Sequence, residues 1–196
     1  MNEKLYAKIV DAIVDDGYIV IKNALDTTLV KSLFDMTKNE VAFKKAGISA
    51  AGDLHIDASR RRDKISWLDE DGGAMSEYLA FTNTLRETLN RELYLGLSYY
   101  EAHFALYEEG DFYEKHLDAF KGSKNRVVTT VLYLNQEWDE CNGGELIVYN
   151  QEDEKIAKVI PNAGTLVVFL SDKFPHEVLP AKVKRHSIAG WFRIDK

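Results

Sequence analysis

His116 and Asp118 stand two residues apart in the run Tyr113-Glu114-Lys115-His116-Leu117-Asp118. On an extended strand, residues i and i+2 project to one face, so this imidazole and carboxylate can reach a single metal ion. The pattern is weak by itself. A surface ion pair would satisfy it, and the chain holds five histidines from which it can arise by chance. Context comes from Phe174-Pro175-His176-Glu177-Val178-Leu179-Pro180, whose histidine follows Asp118 by 58 residues. Several strands fit in that interval, enough to return the chain across the same barrel. Two histidines and one carboxylate form the facial triad that binds Fe(II) and leaves coordination positions open.

Arg185 follows His176 by nine residues, at the start of a strand-like run. A guanidinium pairs with a carboxylate through two parallel hydrogen bonds. Next to such a metal, the matching ligand is 2-oxoglutarate: its keto acid end chelates the metal and its far carboxylate meets Arg185. Tyr133, in the apolar run VVTTVLYLN, is placed to donate its hydroxyl to that same carboxylate. The other histidines, His55, His103 and His186, read as structural or solvated, with His186 facing away from Arg185 by strand alternation. There is no His-Glu-x-x-His helix and no serine nucleophile elbow. Gly143-Gly144 leads into a strand without the lysine of a phosphate loop.

The elements that must position these residues divide the chain in two. Residues 3–16 carry Leu5, Ile9 and Ile13 at helical spacing. Tyr18–Ile21 reads as a strand, Asp26 as the N-cap of a helix running to about Gly47, and residues 47–63 as a long polar loop. A short strand at Lys64–Trp67 and a helix over about 74–94 complete this half. After Gly96, about eight short runs rich in Val, Ile, Tyr, Phe and Thr follow one another. The expected fold is α+β: a double-stranded β-helix (jelly roll) supported by N-terminal helices. It forms one catalytic domain over 1–196, with 1–95 mainly helical support and 96–196 the jelly-roll core.

Composition excludes several alternatives. No apolar run is long enough to cross a membrane, and the first residues lack a signal peptide's basic-then-apolar order. Cys141 is the sole cysteine, so no internal disulfide forms. The net charge of −7 argues against nonspecific binding to nucleic acid, although Arg60-Arg61-Arg62 is a local basic run that also fits a solvated loop. The expectation is a cytoplasmic protein.

Five segments together resemble a known family: DKISW (Asp63–Trp67), YEEGDFYEKHLD (Tyr107–Asp118), RVVTTVLYLNQEWD (Arg126–Asp139), CNGGELIVY (Cys141–Tyr149) and the run from Pro161 to Arg193. Over nearly its whole length the chain is similar to the prolyl 4-hydroxylase type of 2-oxoglutarate-dependent dioxygenases, above all the hypoxia-inducible-factor prolyl hydroxylases and their bacterial relatives. The resemblance implies His116, Asp118 and His176 as Fe(II) ligands, and Arg185 and Tyr133 as the clamp on 2-oxoglutarate, with Tyr107 lining the same pocket. It implies Trp191 beside a target proline, and Asp63 paired with Arg61 to order a mobile substrate loop over about 44–63. O2, a protein partner with a target proline, and ascorbate as reductant belong to the same expectation. The chain departs from the animal enzymes at Glu108-Glu109-Gly110-Asp111, which replaces a glycine-rich approach, and in the turn after Asp118. Both lie in substrate-facing regions, so a different residue or a small molecule stays open as target. A non-catalytic binding module is the further alternative.

Overall fold

A computed structural model describes residues 3–39, 41–50, 53–55, 57, 59–69, 72–119 and 125–195, with backbone alone for 48–50 and 53–55. Helix α1 (Glu3–Asp15) buries Leu5, Ile9 and Ile13 on one stripe and ends where Gly17 turns with φ of 77°. Strand β1 (Tyr18–Ile21) follows. The carboxylate of Asp26 then accepts the Thr28 amide at 2.8 Å, capping α2 (Thr27–Asn39).

Two expectations fail in the next stretch. Helix α2 stops at Asn39 instead of near Gly47, because Lys44 and Lys45 form strand β2 (Lys44–Lys45) and pair with Ile65 and Lys64. The supposed irregular loop contains a hairpin, β3 (Ile48–Ala50) with β4 (Asp53–His55). Strands this short carry too few residues for an alternation to be legible. Of the expected substrate loop, residues 51, 52, 56 and 58 lie outside the described residues, as does the side chain of His55.

The chain continues through β5 (Lys64–Trp67) and α3 (Gly73–Leu93), which closes on Tyr94 in the left-handed region. Then come β6 (Tyr99–Tyr107), β7 (Tyr113–His116), β8 (Arg126–Tyr133), β9 (Leu146–Tyr149), β10 (Lys155–Val159), β11 (Leu166–Leu170), β12 (His176–Val178) and β13 (Arg185–Arg193). The larger sheet has the order β1-β11-β8-β13-β6-β5-β2, and the smaller β10-β9-β12-β7. They face each other as the two walls of a jelly roll.

Alternation along the large sheet divides the labour. Phe104, Leu132, Val168 and Ile188 pack outward against Ile9, Leu33, Leu85 and Leu89 of the helices. Their sequence neighbours Ala105, Val131 and Val167 point inward to the small sheet. Both faces are buried, which is why the strand sequences read as continuous apolar runs. Each fully buried aliphatic side chain contributes about 1.5–3 kcal/mol, so the helical layer anchors the strands that carry the site.

Candidate active site

His116, at the end of β7, and His176, at the start of β12, are direct partners in the antiparallel register. Asp118 lies just beyond β7, its two carboxylate oxygens each 3.6 Å from one imidazole Nε2. The three ligand atoms all fall within 4.8 Å of one another. Each imidazole is oriented by its other nitrogen: Nδ1 of His116 lies 2.8 Å from the Glu114 carbonyl and Nδ1 of His176 lies 3.0 Å from the Phe174 carbonyl. A carbonyl only accepts, so both Nδ1 atoms carry the proton and both Nε2 lone pairs face the centre. Asp118 accepts from the Thr129 hydroxyl at 2.8 Å, and Thr129 is itself 2.8 Å from the Ser171 hydroxyl.

Electrostatics suit a cation. Burial alone would raise the Asp118 pKa, but His176 and His116 outweigh it and hold the carboxyl well below its usual range. Burial, then the neighbouring His116, pushes His176 down to about 4. It is therefore unprotonated at neutral pH, the form that binds metal. The residues fit one octahedral ion with a nitrogen, nitrogen, oxygen face and open positions opposite.

Behind the triad sits a smaller cavity of about 70 Å³ that Arg185 also lines. Arg185 is 1% exposed. Its Nε donates to the Gly144 carbonyl at 2.8 Å, and Nη1 reaches the Ser187 hydroxyl at 3.4 Å. Among the described residues no carboxylate pairs with it. The rings of Tyr107 and Tyr133 lie 4.7 and 5.0 Å from the guanidinium carbon. Tyr133 is fully buried, and its hydroxyl has no hydrogen-bond partner among the described residues. Burial raises its pKa, against the pull of Arg185, so it stays a donor. A buried cation and an idle hydroxyl side by side are costly unless an anion joins them.

Gly144 makes this geometry possible. Its φ is +69°, and a Cβ there would sit 3.1 Å from the Arg185 side chain. The glycine pair was legible only as the lead into a strand; its carbonyl in fact orients the guanidinium.

In front of the triad opens a cavity of about 550 Å³ whose walls include Trp67, His103, Arg126 and Trp191. The Arg126 guanidinium covers the Trp191 ring at 3.7 Å. Arg61 forms a bidentate pair with Asp63, at 2.6 and 2.9 Å, and its guanidinium lies 4.6 Å from the Tyr113 ring. Tyr113 in turn stacks on His116, with centroids 3.6 Å apart. The basic run is thus neither a patch nor a solvated loop as a whole. Arg60 pairs with Glu114 at the surface, Arg61 is half-buried against Asp63, and Arg62 lies over Phe112.

His186 faces the helical layer, edge-on to Phe34. His103 is buried but lines both cavities. The sequence reading passed over Tyr113, Thr129 and Arg126. Tyr113 precedes the metal motif visibly, whereas Thr129 and Arg126 reach the site only through strand register.

The comparisons agree with this geometry. Residues 102–193 match the 2OG-Fe(II) oxygenase superfamily. A prolyl-4-hydroxylase from Pseudomonas putida is 37% identical, with 97% of this chain and 100% of that chain covered and a TM-score of 0.84. A prolyl hydroxylase from Trichoplax adhaerens, solved with a hypoxia-inducible-factor peptide fragment, is 28% identical, with coverages of 98% and 90% and a TM-score of 0.83. Human "Prolyl hydroxylase EGLN3" is 32% identical over 78% of this chain and 64% of its own length. The chain spans 41% of the rat relative "Egl nine homolog 1" at 32% identity. The fold and the site define a 2OG-Fe(II) oxygenase, and the chain belongs to that superfamily. Within it, the chain falls in the prolyl hydroxylase family.

Proposed function

We propose that this protein hydroxylates a prolyl residue of a partner protein, with 2-oxoglutarate and O2 converted to succinate and CO2. One oxygen atom of O2 enters the product hydroxyl and the other enters succinate. The observation that carries the reading is Arg185: a buried guanidinium with no carboxylate partner among the described residues, beside a triad that can hold iron. His116, Asp118 and His176 would hold Fe(II), which supplies the oxygen-activating chemistry when bound.

The chain's own residues do the rest. Arg185 and Tyr133 bind and orient the distal carboxylate of 2-oxoglutarate, while Tyr107 walls the same chamber and excludes water. Thr129 fixes the Asp118 carboxylate in one rotamer, and the two Nδ1 contacts fix the imidazoles. Trp191, under Arg126, forms a flat apolar wall for the target ring. Arg61 and Asp63 anchor the end of a substrate loop over about 44–63. Ascorbate would be the reductant that keeps a bound iron in the ferrous state. A carboxylate at position 118 occupies the place that halogenating relatives leave open for halide, which favours hydroxylation.

Protein with Fe(II) and 2-oxoglutarate under nitrogen should show a weak visible charge-transfer band, lost in Asp118→Ala and His176→Ala. No band and no succinate would overturn the oxygenase reading. Mass spectrometry of cells with and without the gene should show a +16 Da change on a prolyl residue. Succinate formation without any protein modification would favour a small-molecule substrate instead.

A further inference from the structure

His103 is used by none of these steps, yet its placement is specific. It lies on β6 opposite Ala189 of β13 and Trp67 of β5, and it lines both cavities. The residue is 2% exposed. Two indoles hold its ring: Trp67 edge-on at 5.2 Å and Trp191 tilted at 5.4 Å. Trp67 is itself 52% exposed, so this slot runs from the solvent mouth to the site.

The tautomer follows from one contact. Nδ1 lies 3.2 Å from the Phe104 carbonyl, which can only accept. Nδ1 therefore carries the proton and Nε2 presents a bare lone pair. Nε2 has no partner among the described residues. This lone pair opens onto the cavity that His103 lines, so a ligand's N–H or O–H can take the place of water there. The donor's charge is also constrained. Burial and the nearby Arg61 push the His103 pKa down to about 4, with Arg126 adding to the effect and Asp63 opposing it. Both guanidinium groups are ion-paired, Arg61 with Asp63 and Arg126 with Glu101, so no net charge here calls for an ionic ligand and a neutral N–H or O–H fits.

We propose that His103 is a specificity-determining residue whose Nε2 accepts a hydrogen bond from a backbone amide of the substrate next to the target proline. This rests on the prolyl reading above. A prolyl nitrogen within a chain has no N–H, so the neighbouring donor is the amide of the residue that follows it. The slot thus recognises peptide backbone and selects a prolyl residue inside a chain over one lacking the following amide.

The test uses two probes of nearly equal shape, N-acetyl-proline N-methylamide and N-acetyl-proline methyl ester, which differ by the one N–H. Their affinities are read by ligand NMR on protein loaded with Zn(II) and 2-oxoglutarate. The wild type should prefer the amide by about tenfold, the scale of one buried hydrogen bond. His103→Phe should bind both alike, and His103→Gln, which restores an acceptor oxygen, should recover the preference. Thermal unfolding confirms that each variant is folded, and the wild-type comparison needs no variant at all. Equal binding of amide and ester by the wild type, or a preference that survives in His103→Phe, overturns the role of His103. If neither probe binds while the Fe(II) enzyme still turns over 2-oxoglutarate, the prolyl reading falls and takes this assignment with it.

Discussion

His116 and His176 face each other across one ladder, but the protein secures them by different means. His176 stands on β12, flanked by β9 and β7, with the Phe169 ring 4.9 Å away and Phe174 buried two residues before it. His116 stands on β7, the edge of the small sheet. There the covering layer is the segment before β5: the Glu114 amide donates to the Arg60 carbonyl at 2.9 Å and the Arg62 amide to the Phe112 carbonyl at 3.1 Å. The stack of Arg61 on Tyr113 on His116 closes that side. One ligand is thus fixed by core packing, the other by a polar and aromatic layer lent by a connecting segment. Stability should depend most on the first side, and metal affinity on the second.

The largest effect is expected on the packed side. Phe174→Ala removes a ring that rests on Tyr18 and Phe169 and should cost about 3–5 kcal/mol, measured by chemical denaturation. If metal affinity falls while stability holds, the comparison is broken. Next, Asp63→Asn leaves the Arg61 guanidinium buried without its counter-ion and should cost about 3 kcal/mol. Its metal dissociation constant should rise as well, since Tyr113 loses its cover.

Acid provides a graded test of the His176 side. Its folded pKa of about 4 lies below the ordinary 6.5, so the metal-free fold favours the neutral form. His176 contributes a loss of up to about 1.4 kcal/mol per unit as pH falls from 6.5 to 4, alongside His103 and His186, which burial also pushes down to about 4. His176→Gln should reduce the slope by that one share, and an unchanged slope would refute the assignment. Tyr113→Leu should weaken metal binding about tenfold, as for other groups that orient a ligand, with little change in unfolding temperature. The smallest effect belongs to Lys115→Met. Lys115 pairs with the exposed Asp153 and lies over the Tyr149 ring, so its loss should cost under about 1 kcal/mol.

These differences also explain what could be read without a structure. His116, Asp118 and His176 are legible because a metal demands particular residue types, and Arg185 because a buried carboxylate clamp must be an arginine near the distal histidine. The helices α1 and α3 follow from apolar spacing, and so do the long strands. Thr129, Arg126 and His103 were illegible for one physical reason. Their roles arise from cross-strand register, in which a neutral-looking position acquires meaning from its partner. Thr129 and Thr130 are adjacent in sequence, yet Thr129 holds Asp118 while Thr130 bonds Tyr100 behind the sheet. The end of α2 and the β3–β4 hairpin were lost because two- and three-residue strands give no periodic signal, and the partner of β2 lies about twenty residues further on.

The two-faced large sheet has a consequence for how this sequence can change. In β13, Arg185, Ser187, Ala189 and Trp191 serve the cavity, while Ile188 and Phe192 serve the helical core and His186 meets Phe34. Losing or gaining one residue within this strand would exchange the two sets, turning a guanidinium toward the helices and an isoleucine toward the triad. Two residues would preserve the facing and shift only the register. Length variation in β13 should therefore be tolerated by parity: even changes impair, odd changes abolish.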